Sequence, residues 1–401
     1  MSVWIIAPSE PIPKKTKNRI FREGKICNFF LKKEKKVTWF TSSFNHHQKK
    51  KYIFEKRNEY LGNNYFIHYL KSLGYKKNFS FRRLLDHLVV GLDFFIFAIK
   101  AKKPEIIIAS YPPIETAFFA TFIAKLRKIR IVIDYRDAWP DTFLVNQNFL
   151  ILNLLKVLLL PYFLMRHFIL KNAEIITISK GFSRYLLKKF NKKSSYFYLS
   201  SKERVAKKEN NYFFIKKEKI EIKNSNFNIV FFGNYNKNKF NFNDINSISD
   251  KLSKLSKKIK IYLFGEKSFF SINTSPLKKN ENIFYLDWIN NKEIDEVLKI
   301  SHVGLAPYKT TWDFKISIPN KISEYLSAGL PIIHSLRGET KLYLEKKKCG
   351  FYYQTSDDLF NVIKNLFCYK KNYKKYSLNS KKAYQLFSDK EFEKKLNVFF
   401  N

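Results

Sequence analysis

Residues 317–335, which read SIPNKISEYLSAGLPIIHS, decide the fold of this chain. Apolar side chains recur there at helical spacing, and Gly329 followed by Pro331 ends the helix before Ile332-Ile333 begins a strand. A helix that leads directly into a buried strand is typical of an α/β sheet. Glu324 lies off the apolar stripe, so we expect its carboxylate to face away from the core. There it can accept hydrogen bonds from two neighbouring hydroxyls.

This block resembles the signature of glycosyltransferase family 4, the retaining enzymes of GT-B fold, in which a Pro-x-Lys segment leads into Glu-Tyr-x-x-x-Gly-x-Pro. Pro319 and Lys321 match its first part. The resemblance implies that Glu324 holds the ribose hydroxyls of a nucleotide-sugar donor. Many members carry another glutamate eight residues earlier, where this chain has Ile316. The paired-glutamate motif is therefore half present, and the alternative for Glu324 is an exposed residue on an ordinary surface helix.

The composition predicts a folded, strongly basic protein. Its 401 residues suffice for two domains, and 45% hydrophobic with 17% aromatic residues exclude a disordered chain. The formal net charge of +41 indicates an anionic partner, for which nucleic acid, lipid head groups and a phosphorylated substrate are candidates. Because the cations are mostly lysines scattered along the whole chain, we expect no specific nucleic-acid site, since recognition of phosphate and bases favours arginine.

The cysteines and the first residues indicate the compartment. Cys27, Cys349 and Cys368 are widely separated and form no metal-ligand pattern, which predicts reduced thiols in a cytoplasmic protein. The apolar run in residues 1–13 is short and no basic segment precedes it. We therefore expect a first buried strand there rather than a signal peptide.

Two successive series of strands and helices predict a GT-B architecture, with two Rossmann-like α/β domains facing each other across a cleft. We expect an N-terminal acceptor-binding domain over 1–200, a linker or excursion over 201–226, and a C-terminal nucleotide-sugar-binding domain over 227–385. A helix over 386–401 follows, and whether it returns to the N-terminal domain stays open. The predicted strands of the first half are Val3 to Ala7, Lys36 to Ser42, Glu105 to Ala109, Arg130 to Tyr135 and Glu174 to Ser179, with helices at about 18–32, 81–100, 115–127 and 181–190. Those of the second half begin at Asn228 and continue at Lys260 to Phe264, Ile283 to Leu286, Gly304 to Ala306 and Ile332-Ile333.

Three further blocks resemble the N-terminal half of the same family, in the branch that builds bacterial surface polysaccharides: KPEIIIASYPPIETAFFA, RIVIDYRDAWPDTF and AEIITISKGFSRYLLKK. Arg136 and Asp137 follow a predicted strand and should emerge at the sheet edge where ligands bind. We take both as candidate catalytic residues, because Asp137 paired with Arg136 could orient an acceptor hydroxyl and accept its proton as it attacks the sugar. The alternative is an ion pair that holds the loop, with Trp139 and Pro140 packed beneath.

The loop after the first strand of the second half carries the candidate diphosphate site. In the family a Gly-Asn-x-Gly-Lys loop presents backbone N–H groups and a lysine to the donor diphosphate, a use of turns as anion sites. Gly233, Asn234 and Lys237 match this pattern, while Asn236 replaces the second glycine. The alternative for a Gly-Asn pair after a strand is a simple turn.

Other donor-side candidates follow neighbouring strands. Gly265 and Glu266 resemble the family's glycine loop near the nucleotide base, and His334 could approach the phosphates, although a single histidine is often structural. Gly338 and Glu339 are supporting residues. The resemblance implies neither a metal nor a cofactor, because lysine and helix N-termini would stabilise the leaving diphosphate.

Two stretches are candidates for membrane contact. Residues 148–170 approach the length of a membrane span but are interrupted by Lys156, Pro161 and Arg166. An interfacial helix, a core helix and a transmembrane helix all stay open. Residues 14–36 combine basic and aromatic side chains, which suits either an anionic bilayer surface or the solvated face of an amphipathic helix.

The function predicted by the resemblance is transfer of a hexose from a nucleotide-diphosphate sugar to a lipid-linked or saccharide acceptor, with retention, in lipopolysaccharide O-antigen or capsule biosynthesis. We expect a cytoplasmic protein, peripheral on the inner face of the cell membrane, with an anionic membrane surface as partner. Two alternatives stay open: a nucleotide-sugar 2-epimerase of GT-B architecture, and a non-catalytic protein that binds lipid or polyanion.

Overall fold

A computed structural model describes residues 2–12, 20–46, 48–52, 57–77, 80–145, 147–204, 212–233, 239–266, 281–369 and 372–401. The chain forms two compact units. The first comprises Met1–Phe197 and Lys395–Asn401, and the second comprises Tyr198–Lys394. The first unit is therefore discontinuous in sequence.

The first unit is a three-layer α/β unit built on a predominantly parallel sheet. The described strands are β1 (Ser2–Ile6), β2 (Lys36–Ser42), β3 (Phe44–Asn45), β4 (Lys50–Lys51), β5 (Asn58–Tyr60), β6 (Tyr65–Leu70), β7 (Ile106–Tyr111), β8 (Arg130–Tyr135), β9 (Glu174–Thr177) and β10 (Ser195–Tyr196). The helices are α1 (Arg22–Lys32), α2 (Phe81–Lys100), α3 (Ile114–Leu126), α4 (Phe149–Leu158), α5 (Leu160–Asn172) and α6 (Lys180–Phe190). Eight strands form one sheet in the order β10-β9-β8-β7-β1-β2-β6-β5, in which only the edge strand β5 runs antiparallel to its neighbour.

The strand sequences explain this sheet. Strand β7 reads Ile-Ile-Ile-Ala-Ser-Tyr and all six of its residues are buried. Continuous apolar runs of this kind are typical of parallel strands that helices cover on both faces. Val3 at the start of β1 pairs with Val37 on one side and Ile106 on the other, which centres the core on β1.

The second unit has its own parallel sheet. Its described strands are β11 (Tyr212–Ile215), β12 (Ile220–Lys223), β13 (Phe227–Phe232), β14 (Ile259–Phe264), β15 (Ile283–Leu286), β16 (Val303–Ala306), β17 (Ile332–His334) and β18 (Gly350–Tyr352). The helices are α7 (Asn243–Ser247), α8 (Ser249–Leu255), α9 (Asn291–Lys299), α10 (Trp312–Lys315), α11 (Asn320–Ser327), α12 (Glu339–Lys346), α13 (Ser356–Cys368) and α14 (Tyr373–Tyr384). Helix α15 (Asp389–Phe400) begins in the second unit and ends in the first, whose last segment starts at Lys395. Six of the strands form the order β15-β14-β13-β16-β17-β18.

This strand order places a topological switch point between β13 and β16. From β13 the chain continues outward to β14 and β15, and it then returns to the other side of β13 to form β16, β17 and β18. The loops that follow β13 and β16 therefore diverge at the carboxyl edge of the sheet. In open α/β sheets this is where ligands bind.

The segment predicted as a linker or excursion contains a β-hairpin. Strands β11 and β12 pair antiparallel, and Ile215 and Ile222 are buried while neighbouring lysines and glutamates are exposed. Alternation of apolar and charged residues along a strand gives one buried face. The high charge of this segment concealed that alternation.

The two candidate membrane stretches have different structures. Residues 13–19 of the basic stretch lie outside the described part of the chain. Helix α1 follows them and buries Ile26, Phe29 and Phe30 in the core of the first unit, so this part of the stretch is an amphipathic helix with a solvated face. Residues 148–170 form most of α4 and α5, which are bent by 62° relative to each other. Within the described ranges, no single helix meets the length and hydropathy needed to cross a membrane, although this bent pair meets them jointly.

Candidate functional site

Helix α11 carries Glu324, the residue predicted to bind the ribose of the donor. Its apolar side chains Ile322, Tyr325 and Leu326 are buried, and the Tyr325 hydroxyl donates a hydrogen bond to the Leu305 carbonyl at 3.1 Å. Glu324 lies on the remaining face and is half-buried. The amphipathic pattern thus turns the Glu324 carboxylate away from the core.

Tyr308, in the loop after β16, is the neighbour of Glu324 that sequence reasoning missed. Its ring packs against Phe240 and Phe314, each with a ring-centroid distance of 4.7 Å. Burial, and then the negative charge of Glu324, raise the pKa of the Tyr308 phenol. The phenol therefore stays protonated near the carboxylate, and no sequence motif around Tyr308 indicated this placement.

Lys321 and Gly233 lie against each other at the end of β13. A Cβ atom on Gly233 would stand 2.6 Å from Lys321 Cε and 2.9 Å from Lys321 Nζ, closer than real Cβ contacts allow. The Lys321 ammonium also lies 5.6 Å from the ring centroid of Phe231 and 5.7 Å from that of Phe240, within the range of cation–π attraction. The absence of a side chain at Gly233 thus lets a lysine from α11 reach the strand end at the switch point.

The other predicted donor-side residues are distributed along the same edge. Gly265 follows β14, and its N–H donates to the Leu286 carbonyl at 2.9 Å, while Glu266 beside it is exposed. His334 ends β17 and is fully buried; desolvation is the main cause that lowers the pKa of its imidazole to about 4. His334 is therefore neutral at pH 7 and supplies no positive charge to a phosphate. Asn234 and Lys237 lie outside the described residues.

The loop after β17 supports the segment that precedes α11. Gly338 has φ +70°, and a Cβ there would stand 2.1 Å from the Lys315 carbonyl oxygen, so this position requires glycine. The Thr340 hydroxyl donates to the Ser317 carbonyl at 3.1 Å. Glu339 accepts a hydrogen bond from the Tyr198 hydroxyl at 2.5 Å. The contacts of Gly338 and Thr340 fix the entry to α11, whereas Glu339 connects this loop to Tyr198.

In the first unit, Arg136 is held by carboxylates that the sequence analysis did not connect with it. Its Nη1 atom lies 2.8 Å from Glu23 Oε2 and 3.3 Å from Glu10 Oε2, and its Nε lies 4.0 Å from Asp134 Oδ2. Asp137, the next residue, is exposed. Arg136 therefore ties its loop to the β1 loop, α1 and β8 through carboxylates other than Asp137. The catalytic roles of Arg136 and Asp137 stay predictions.

These groups form a buried charge network that also includes Arg22. Arg22 Nε donates to Asp134 Oδ2 at 2.7 Å. Glu10 accepts the backbone N–H of Gly24 at 2.9 Å and so caps the first turn of α1. Burial is the main cause that raises the pKa of Glu23 to about 8, with Glu10 adding to the effect and Arg136 opposing it. With Glu23 protonated, the two remaining carboxylates match the two guanidinium groups in number.

A network of this kind leaves little signal in a sequence with many charged residues. Glu10, Arg22 and Glu23 belong to short polar stretches that are exposed in most proteins. The one available indication was that Glu10 follows the first predicted strand. Within the ranges that the structure describes, no group of three or more His, Cys, Asp or Glu side chains is arranged to hold a metal ion. The prediction of a site without metal stays a prediction.

Sequence comparison finds a similar family for the C-terminal part of the chain. Residues 229–398 match the family described as "Glucosyltransferase 3-like, C-terminal domain". The matched region begins within β13 and includes Gly233, Lys321 and Glu324. A search of curated proteins found no match.

Solved structures identify the fold over the whole chain. Sucrose-phosphate synthase from Thermosynechococcus elongatus matches with a TM-score of 0.67 and 12% identity, over 100% of this chain and 98% of that chain. Anabaena HepE in complex with UDP matches with a TM-score of 0.65 and 11% identity, over 100% and 99%. WaaG, a glycosyltransferase involved in lipopolysaccharide biosynthesis, matches with a TM-score of 0.60 and 10% identity, over 99% and 98%. The chain therefore has the GT-B fold, and its residues 229–398 are similar to a glucosyltransferase 3-like C-terminal domain.

Proposed function

We propose that this protein is a retaining hexosyltransferase of glycosyltransferase family 4 that moves a sugar from a nucleotide-diphosphate sugar to a lipid-linked or saccharide acceptor. The observation that carries the proposal is the arrangement on α11. Lys321 and Glu324 are three residues apart on one helix, so their side chains share a face. Lys321 lies over Gly233 at the switch point of the sheet. One cation and one carboxylate at this edge match the two ends of a nucleoside diphosphate.

Each residue has a defined role in the proposal. Glu324 accepts hydrogen bonds from the two ribose hydroxyls. Lys321 neutralises charge that develops on the leaving diphosphate. Gly233, whose own N–H donates to the Phe264 carbonyl at 2.9 Å, leaves room for the Lys321 side chain. Asn234 and Lys237 complete the diphosphate loop, and Gly265 and Glu266 lie toward the base. His334 is neutral and packs beneath the edge, so its contribution is to support the neighbouring loops.

The acceptor side is assigned to the first unit. Asp137 is exposed after β8 and accepts the proton of the attacking acceptor hydroxyl. The Arg136 network holds the loop from which Asp137 projects. We place the reaction in the assembly of lipopolysaccharide O-antigen or capsule, at the inner face of the cell membrane. Support comes from the surface-polysaccharide motifs in the first half and from the similarity to WaaG.

Incubation with nucleotide sugars tests the proposal directly. A thermal-shift panel of UDP-, GDP-, dTDP- and ADP-sugars first identifies the donor, because a ligand that binds the native state raises its apparent stability. The selected donor is then incubated with and without a polyprenyl-diphosphate-linked acceptor. Acceptor-dependent release of nucleoside diphosphate and an α-linked product from an α-linked donor are expected. Epimerised sugar formed without any acceptor would support the 2-epimerase instead, and a panel without any stabilising nucleotide sugar would contradict the assignment.

Replacing Asp137 with asparagine is expected to lower kcat by about 100-fold or more, the usual contribution of a positioned general base. The dissociation constant of the donor should stay unchanged, because donor binding is assigned to the second unit. Asp250→Asn, an exposed aspartate in the second unit, is the matched control and should leave both quantities unchanged. Initial rates and donor titrations measure the two effects. Full turnover by Asp137→Asn would remove this residue from the mechanism.

Replacing Gly233 with alanine is expected to weaken donor binding by about tenfold, because the new Cβ displaces the Lys321 ammonium. Lys321→Ala should weaken binding to a similar extent. The new Cβ would also stand 2.8 Å from Phe231 Cζ, which Lys321→Ala does not relieve. If displacement of Lys321 is the main cause, adding Gly233→Ala to Lys321→Ala should therefore cost clearly less than Gly233→Ala costs in the parent, a coupling that a double-mutant cycle measures. Additive losses in the two single variants would show that Gly233 acts independently of Lys321.

A further inference from the structure

Helix α4 has an unusual surface for a helix of a folded protein, because none of its ten residues is buried. Five of its large apolar side chains are between 59% and 78% exposed: Phe149, Leu150, Leu154, Val157 and Leu158. Isolated apolar residues on a surface are normal, but a continuous exposed set marks an interaction site.

The exposed apolar surface continues over three more helices of the first unit. Leu92, Ile96 and Ile99 of α2, Phe122 and Leu126 of α3, and Leu164 of α5 are between 40% and 64% exposed. The Phe122 ring lies 5.7 Å from that of Phe95 in α2 and 6.1 Å from that of Phe168 in α5. These ring contacts join the helices side by side. Helix α4 leads directly into α5. We call the exposed apolar residues of α2, α3, α4 and α5 the apolar helical face.

Cations outnumber carboxylates around the apolar helical face. Exposed lysines stand at the C-terminal ends of the helices, namely Lys100, Lys103, Lys125, Lys128 and Lys171. The Arg127 guanidinium donates to the Ala98 and Ala101 carbonyls, which shows that the ends of α2 and α3 lie together. Residues 94–104, 116–133 and 142–173 contain neither Asp nor Glu. Of the carboxylates that border these ranges, Asp93, Asp141 and Glu174 pair with arginines, and Glu105 is exposed. The face thus combines a wide apolar area with a positive rim.

An apolar area with a basic rim favours one kind of partner over the others. A second copy of the chain would bring two faces of the same charge together in a protein with a formal net charge of +41, so self-association on this face is opposed by electrostatics. A bilayer containing anionic lipids accepts both parts of the surface, since apolar side chains enter the acyl boundary while lysines contact the head groups. We infer that the apolar helical face docks the first unit on an anionic lipid bilayer, with α4 as the inserted element.

This inference assigns a surface to the membrane placement proposed above, and it does not rest on the transfer reaction. The residues of the face are separate from Asp137, Lys321 and Glu324. A Glu324→Ala variant should therefore bind vesicles as the parent does, even where it loses the donor. Failure of docking and failure of the transfer reaction are consequently distinguishable.

Vesicle co-sedimentation of the full chain tests the inference. The probes are phosphatidylcholine vesicles with and without 30% phosphatidylglycerol, at about 0.1 M and 0.5 M salt. The parent is expected to bind the anionic vesicles at least tenfold more tightly than the neutral ones and to retain part of that binding at high salt, where attraction by charge alone is screened. Equal binding to both kinds of vesicle, or complete release at high salt, would overturn the inference.

The variant Leu150→Ser/Leu154→Ser/Val157→Ser separates insertion from the general attraction of a basic protein. All three side chains are exposed, so the substitutions remove little packing. The vesicle partition coefficient should fall at least tenfold while binding of the nucleotide stays at the parental value. The matched control is Leu342→Ser/Leu378→Ser, two exposed leucines of the second unit, which should bind vesicles as the parent does. Parental binding by the triple variant would show that charge alone holds the protein, and the inference would fail.

A second measurement reports on the depth of α4 directly. Tryptophan placed by Leu154→Trp should be quenched by brominated acyl chains, whereas tryptophan placed by Leu342→Trp should not. Sedimentation velocity of the parent and the triple variant examines the competing occupant. A dimer of the parent that the triple variant abolishes would assign the face to self-association and overturn the lipid assignment.

Discussion

Replacing Glu324 with alanine should raise the dissociation constant of the bound nucleoside diphosphate by about 100-fold. Hydrogen bonds to a charged acceptor contribute roughly 1.5–3 kcal/mol each, and loss of the pair to the ribose hydroxyls corresponds to about 2.7 kcal/mol or more. The helix itself should tolerate the change. Glu324 contributes its backbone carbonyl to the Ser327 hydroxyl at 2.7 Å, and alanine keeps that contact while favouring helix.

Calorimetric titration with the tightest of UDP, GDP and ADP measures this effect, and a sugar-modified ligand sharpens it. The corresponding 2′-deoxynucleotide should bind the parent less tightly but should bind Glu324→Ala as tightly as the ribonucleotide does. Glu345→Ala, an exposed glutamate on α12, is the matched control and should bind like the parent. If Glu324→Ala still distinguishes the two nucleotides, the ribose hydroxyls have another partner.

Replacing Glu23 with glutamine should make the first unit increasingly more stable than the parent as the pH rises from about 4.5 to 8, although it removes a member of the buried network. Burial raises the pKa of this carboxyl to about 8, so the folded protein carries it protonated at neutral pH. Glutamine has the shape of the protonated acid, and its oxygen can still accept the Arg136 N–H bond of 2.8 Å. Its amide can also donate to Glu10. The variant therefore keeps the contacts and never acquires the buried negative charge.

The sign of the pH dependence of stability follows from the protons that Glu23 binds in the folded and unfolded states. Between about pH 4.5 and 8 the unfolded chain releases the Glu23 proton while the folded chain keeps it, so this group lowers the free energy of unfolding as the pH rises, by about 1.4 kcal/mol per pH unit. The buried imidazoles of His68 and His334 act in the opposite sense between pH 4 and 6.5, because burial lowers the pKa of each to about 4. The histidines are the same in variant and parent, so the difference between their free energies of unfolding reports on Glu23 alone.

Urea unfolding at pH 5, 7 and 9 measures that difference. Glu23→Gln should match the parent at pH 5 and exceed it by roughly 3–5 kcal/mol at pH 9. Glu23→Ala should be less stable than Glu23→Gln throughout, since it leaves a cavity beside Arg136. Glu174→Gln, at an exposed pair with Arg130, should change neither the slope nor the midpoint. A Glu23→Gln curve parallel to that of the parent would show that Glu23 is ionised at neutral pH.

Local patterns were sufficient to predict most of the architecture. The predicted bounds of Lys36–Ser42, Arg130–Tyr135 and Phe81–Lys100 are those of the structure, because each is a long periodic run with clear ends. Strand Tyr65–Leu70 was not predicted. It follows a polar stretch, and its pairing with β2 is a tertiary contact that no short-range pattern encodes.

The candidate site, like the architecture, was predictable where local patterns determine it. Helical spacing was enough to orient Glu324, because an amphipathic helix has one buried face. The approach of Lys321 to Gly233 depends on packing between segments far apart in sequence, and the proximity of Tyr308 to Glu324 depends on the loop after β16. The partners of Arg136 were hidden for another reason. In a chain so rich in charge, composition does not distinguish the few buried ionic groups from the many exposed ones.

The discontinuity of the first unit affects how the protein is made. Phe400 packs on Phe29 and Phe30 at 6.2 and 5.0 Å between ring centroids, and Arg130 donates to the Phe399 carbonyl. During synthesis, residues 1–197 leave the ribosome well before these partners exist. Until the entire second unit has been translated, the core of the first unit is therefore incomplete. The Phe29 and Phe30 rings lack their contact with Phe400 during that time. Chaperones that recognise exposed aromatic surface have that interval in which to act, and the second unit is the first that can complete its fold.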